Sequence, residues 1–204
     1  MSTDRLPPIS DGLADALAAM SDTAIELAGH IPGVGKALDL AKSYRSVSDA
    51  LFVRKIARFM CQFSSLPLAA RQAFFQNLQS REDFDRFGEA VLLLLDRSDE
   101  LEKPAVIGRL FKAAALDLIS VEDAKRIGAA VNRAYFVDLS TLAQFEDELL
   151  SPTPEISTTL NALGLLVVTG LDAGSLDDDN SGGTYYRLST YGRNLVKYGL
   201  RGDW

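Results

Sequence analysis

Pro154-Glu155-Ile156-Ser157-Thr158-Thr159-Leu160-Asn161-Ala162-Leu163-Gly164-Leu165-Leu166-Val167-Val168 is followed by a Gly/Asp/Ser-rich connection and then by Tyr185-Tyr186-Arg187-Leu188-Ser189-Thr190-Tyr191-Gly192-Arg193. Thr153 is a good helix N-cap, and Pro154 suits a first helical position, where no backbone N–H is needed. Ile156, Leu160 and Leu163 recur at helical spacing and give one apolar face. Gly164 stands where a helix C-terminus favours a left-handed residue. Leu165–Val168 is a short β-prone run, Asp172–Gly183 is dense in turn residues, and Tyr185–Leu188 reads as the returning strand. Ser189 caps a last helix carrying Leu195, Val196 and Leu200. The order is helix, strand, turn, strand, helix.

Helix, Leu-Gly-Leu, hairpin and then Tyr-x-Leu-Ser-x-x-Gly-Arg resembles the second half of a winged-helix domain. The resemblance covers about a quarter of the chain. It implies a recognition helix over Pro154–Leu163 and a wing at the hairpin. Carried to this sequence, it makes Thr158, Asn161, Arg187, Arg193 and Lys197 the candidate DNA contacts.

The charges point elsewhere. Residues 153–204 hold four basic and six acidic side chains, and Asp177, Asp178 and Asp179 sit together in the hairpin connection. DNA binding rests on Lys and Arg neutralising phosphates. An acidic wing tip is repelled by a phosphate backbone, and the candidate recognition helix offers Glu155, Ser157, Thr158, Thr159 and Asn161 with no cation. The net charge of −7 draws in no polyanion.

Upstream, apolar periodicity predicts a mainly α fold. Residues 1–10 read as a loose leader, 11–118 as a helical bundle, and 119–204 as the winged-helix-like unit packed on it, with one β-hairpin. Asp11–Ala28 is Ala- and Leu-rich at helical spacing. Gly29–Lys36 invites a phosphate-loop reading, but His30 stands where the first glycine belongs and Ala37 where Ser or Thr should hold Mg²⁺. It reads as a breaker between helices. A helix over about Val34–Gln62 carries Leu40, Tyr44, Val47, Leu51, Ile56, Phe59 and Phe63 on one face. Its other face is basic, with Lys42, Arg45, Arg54, Lys55 and Arg58 as candidate membrane or partner contacts. Residues 82–103 contain eight acids and three bases, so that basic face is expected to meet the acidic remainder of the chain.

Pro67–Leu78 reads as a short helix with Leu68, Phe74, Phe75 and Leu78 inward. Ser80 caps the next, where Leu92–Leu95 imply burial on several sides. Leu101–Leu118 follows. Ser120-Val121-Glu122-Asp123 is a capping box opening a helix with Ala124, Ile127, Val131 and Tyr135 on its face. Leu139–Leu150 completes the helices. The stretch from Gly108 to Ala124 resembles a helix pair of small helical bacterial and phage proteins and of bundles of the tellurite-resistance TerB type. It brings no catalytic residue.

Catalytic chemistry finds few residues to work with. His30 is the only histidine and Cys61 the only cysteine, too few for a zinc site. A histidine-dependent triad has no serine in an elbow context. Cys61 lies in an apolar run and reads as a packed thiol in a reducing compartment. No catalytic residue, cofactor or metal is expected. No stretch reaches the ~18 apolar residues of a spanning helix, and the expected location is cytoplasmic, with peripheral membrane contact through residues 34–62 as a variant. The leading expectation is a non-catalytic interaction or regulatory protein with a protein partner, homodimerisation included. A winged-helix DNA-binding transcriptional regulator is the alternative, and a membrane-associated effector the third.

Overall fold

The computed structural model describes residues 47–77, 81–174 and 182–204, together with Ile31 and Gly35. The expected leader, the Asp11–Ala28 helix, the rest of the Gly29–Lys36 breaker, Leu40, Lys42, Tyr44, Arg45, the Ser80 cap, Leu78 and the Asp177–Asp179 run lie outside the described residues.

The fold is mainly α. The helices are α1 (Val47–Ser64), α2 (Leu68–Asn77), α3 (Arg81–Asp96), α4 (Lys103–Ala115) and α5 (Val121–Arg133). A short α6 (Phe136–Leu139) runs into a 3-10 segment (Ser140–Phe145). Then come β1 (Leu149–Leu150), α7 (Pro154–Ala162), β2 (Leu166–Asp172), β3 (Gly183–Leu188) and α8 (Thr190–Asn194), which continues as π-helix over Leu195–Arg201.

α4 is the axis of the molecule. Val106, Ile107, Leu110, Phe111, Ala113, Ala114 and Ala115 are all buried, so it is apolar around most of its circumference, as a central helix must be. It packs on α1, on α5 and on the π-helical segment. The α1 crossing is close because residue 108 has no side chain: a Cβ there would lie 2.6 Å from the Phe59 carbonyl oxygen. Backbone cannot yield as a side-chain tip does. Gly108→Ala is therefore expected to lower stability by about 1–3 kcal/mol through overpacking, measured as a shift in the urea midpoint.

Five phenylalanines from four helices close a ring in the core. Phe59 meets Phe63 (ring centroids 6.1 Å), Phe63 meets Phe74 (5.9 Å), Phe74 meets Phe87 (5.3 Å), Phe87 meets Phe111 (5.5 Å), and Phe111 returns to Phe59 (5.8 Å). Four of the five contacts are edge-to-face, the arrangement favoured by the ring quadrupole.

Below this ring lies a buried cation. The Lys103 side chain is fully buried, with its ammonium 2.5 Å from Asp99 Oδ1 and 3.1 Å from Glu100 Oε1. Glu100 Oε1 also accepts from the Phe136 amide (2.9 Å), and Asn132 Nδ2 donates to the Leu94 carbonyl (2.7 Å). The Ser98 hydroxyl reaches Asn132 Oδ1 (2.8 Å). The α3–α4 turn is thus stitched to the end of α5 and the start of α6.

Several expectations need correction. Cys61 is exposed rather than packed, because Phe59, Met60 and Phe63 take the inward positions of α1. Leu51 and Leu93 are exposed, and Leu68 is 61% exposed; α2 buries only Phe74 fully, with Phe75 half-buried. α5 ends at Arg133, and Ala134 and Tyr135 are extended, which swings Tyr135 out to 73% exposure. Leu139–Leu150 is not one α-helix. Leu139, Leu142 and Phe145 are buried at a spacing of three, the period at which 3-10 side chains eclipse, and Leu149–Leu150 joins the sheet instead. Thr153 makes no side-chain cap bond. Its amide donates to Ser151 Oγ, which also pairs with the buried Ser157 hydroxyl (2.7 Å).

The C-terminal stretch follows its signals. Gly164 has φ +76°, β2 and β3 pair antiparallel from Leu166↔Leu188 to Asp172↔Gly183, and β1 flanks β3. The register slips at Thr169, a bulge between Val168 and Gly170. Ser189 caps α8 by accepting from the Gly192 amide, as Ser120 caps α5 from that of Asp123 (both 2.9 Å). At the end of the chain the Asp203 amide donates to the Lys197 carbonyl (2.9 Å). Trp204 stacks on Tyr198, with the Lys112 ammonium 4.3 Å from the indole ring. Lys112 also donates to Ser65 Oγ (2.9 Å).

Candidate functional site

Strand alternation decides where Arg187 points. Tyr186 and Leu188 are buried against the core, so Arg187 between them is turned outward. Its partner across the hairpin is Val167. The Ser189 hydroxyl donates to the Gly164 carbonyl (2.6 Å) while accepting from Gly192, which ties the end of α7 to the start of α8. Between the β2–β3 hairpin and α8 lies a cleft of about 440 Å³ lined by Gly164, Val167, Arg187, Leu188, Ser189, Thr190, Tyr191 and Arg193.

Arg193 is held in place. It donates to the Leu188 carbonyl (3.0 Å) and to Thr190 Oγ1 (3.1 Å), leaving its remaining N–H groups available. Arg187 is exposed and makes no hydrogen bond or ion pair among the described residues. Arg126 of α5, outside the lining, donates to Glu122 (3.3 Å) and lies near Tyr191. Those two partners, Glu122 first, raise Arg126 above the ordinary guanidinium value. Among the described residues no carboxylate lines the cleft.

Of the candidate DNA contacts, Arg187 and Arg193 are brought together here. Lys197 is not; its ammonium lies over the Tyr198 ring (4.9 Å). Asn161 spends its amide on the Leu166 carbonyl (2.8 Å), closing the α7–β2 turn. Thr158 lies 3.4 Å from the Tyr186 hydroxyl. The solvent side of α7 carries Glu155, Thr158, Thr159 and Ala162, without a cation. A single helix separates β1 from β2.

The candidate membrane contacts of α1 are engaged within the fold. Lys55 donates to the Asp96 carbonyl (3.0 Å) and Arg58 to that of Leu101 (3.1 Å). Lys55 thereby satisfies an orphan carbonyl at the C-terminus of α3, and Arg58 one in the turn that follows. So the basic face does meet the acidic segment, through backbone oxygens. Arg54 is half-buried and also partnered. Lys42 and Arg45 lie outside the described residues.

Arg126 and Tyr191 escaped sequence reasoning because nothing local links residues that far apart. Among the described residues no group of His, Cys, Asp or Glu is placed to hold a metal ion, and no helix is long and apolar enough to cross a membrane. Comparison with known proteins finds no matching family model, no matching curated protein and no matching solved structure.

Proposed function

We propose that this chain is a non-catalytic, cytoplasmic interaction protein that binds an acidic segment of a protein partner at the cleft between the β2–β3 hairpin and α8. The observation that carries the reading is the gathering of Arg187 and Arg193 around a space that no carboxylate lines among the described residues, in a chain of net charge −7. Val167, the cross-strand partner of Arg187, gives the space an apolar patch, and mixed walls of this kind suit protein segments better than bare cation tracks do.

A second reading draws on the same two arginines: winged-helix DNA binding with Arg187 on the wing. The cation-free solvent side of α7 weighs against it, because a reading helix meets phosphates as well as bases. One experiment separates them. Affinity capture from the source cells with wild-type protein should retain a defined partner that Arg187→Glu loses, and mixed duplex DNA at low salt should bind weakly to both. Tight, salt-sensitive DNA binding abolished by Arg187→Glu would replace the first reading with the second.

A further inference from the structure

We infer that the cleft is a phosphoryl-recognition site, and that the segment it holds carries a phosphorylated serine or threonine. The inference rests on the protein-contact reading and names the group that the contact recognises.

The geometry argues for a dianion. Arg193 is pinned on one wall by Leu188 and Thr190, and Arg187 reaches the same space from β3. A carboxylate has two oxygens, and a single guanidinium fork satisfies both. Two forks from different elements are better matched by a phosphate monoester, whose three terminal oxygens and charge of about −1.5 to −2 accept from both at once. Arginine rather than lysine at both positions fits planar, two-point recognition of oxyanions. The volume of about 440 Å³ exceeds what a free phosphate fills, and Val167 beside Arg187 offers an apolar contact for the carbon chain that bears it. A polyanion is a poorer match, because it needs cations continued along its path and α7 supplies none.

The test is titration calorimetry of the full chain with three degenerate peptide pools, centred on phosphoserine, aspartate or serine. The phosphoserine pool should bind, the other two at least about tenfold more weakly, as expected for losing charge-assisted bonds. Arg187→Ala should lose binding by about tenfold, and Arg187→Lys should recover little of it, since the fork is gone. Unchanged thermal melting would show that both variants are folded. Lowering the pH through about 6, the second phosphate pKa, should weaken phosphoserine binding as the dianion is lost. Equal binding of the aspartate pool would overturn the phosphoryl assignment while leaving the protein-contact reading intact. So would inorganic phosphate binding with no peptide binding, or failure of every pool. Duplex DNA binding in place of peptide binding, lost in Arg187→Ala, would sink both.

Discussion

Asp99→Ala combined with Glu100→Ala is expected to lower stability by about 3–5 kcal/mol, the range for stranding a buried charge. The asymmetry of the site sets the sign. Lys103 is fully buried, whereas the side chains of Asp99 and Glu100 are 65% and 37% exposed. Removing the carboxylates leaves an ammonium with no counter-charge and only a long 3.5 Å contact to the Asn132 carbonyl. The opposite change is gentler. In Lys103→Met the carboxylates turn to water and the stem is replaced by an apolar one, so the loss should stay within about 1 kcal/mol, since buried pairs are often neutral when exchanged for apolar packing. Urea denaturation followed by circular dichroism measures both. Equal losses from both variants would mean that the lysine is needed for more than its own neutralisation.

The same site gives a pH dependence. The Lys103 ammonium, through its hydrogen bond, holds the Asp99 carboxyl below the ordinary aspartate value. A carboxylate with a depressed folded pKa stabilises fully above its unfolded value and loses that contribution as pH falls through the folded one. Wild-type stability should therefore decline on acidification below about pH 4, and the double variant should show a shallower decline there.

Phe111→Ala is expected to cost about 3–5 kcal/mol, the range for emptying a large aromatic site in a core. Phe111 is fully buried and touches two neighbours of the phenylalanine ring, Phe59 and Phe87. It also lies on α4, so the vacancy would open between α1 and α3. Those helices are held apart by the other rings and cannot collapse onto the space. Phe111→Leu keeps most of the volume and should lose only about 1–1.5 kcal/mol. The urea midpoint of each variant checks the ordering. A loss under 1 kcal/mol for the alanine variant would show that the ring closes without its fifth member.

Local signals were legible in this chain, and long-range ones were not. Ser120, Ser189 and Gly164 act within three or four residues of themselves, so their chemistry could be read directly and the caps and the left-handed turn are present. The pairing of the two hairpin strands followed from β-prone runs on either side of a turn-rich connection, but not the bulge at Thr169. By contrast, periodicity showed that phenylalanines recur on helices but not that five of them close a ring. Lys103 lies four residues after Asp99 and three after Glu100, spacings that suggest ion pairs, yet its burial depends on Asn132 and Phe136 arriving from α5 and α6. Tyr135 was placed on a face that its helix does not reach. Leu139–Leu150 was read as one helix, whereas Ser140–Phe145 is a 3-10 segment and Leu149–Leu150 a strand. At the cleft, the family resemblance put five residues in one class. The fold gathers Arg187 and Arg193, and commits Asn161 to a turn.

Trp204 is the only tryptophan of the chain, and it sits on the seam between the π-helical segment, α4 and the turn after α1. The protein therefore carries a built-in fluorophore at one defined joint. Its emission colour reports the local docking of the terminal segment, while backbone ellipticity sums over every helix. Undocking at that joint can thus be told apart from loss of helix elsewhere, without attaching a dye.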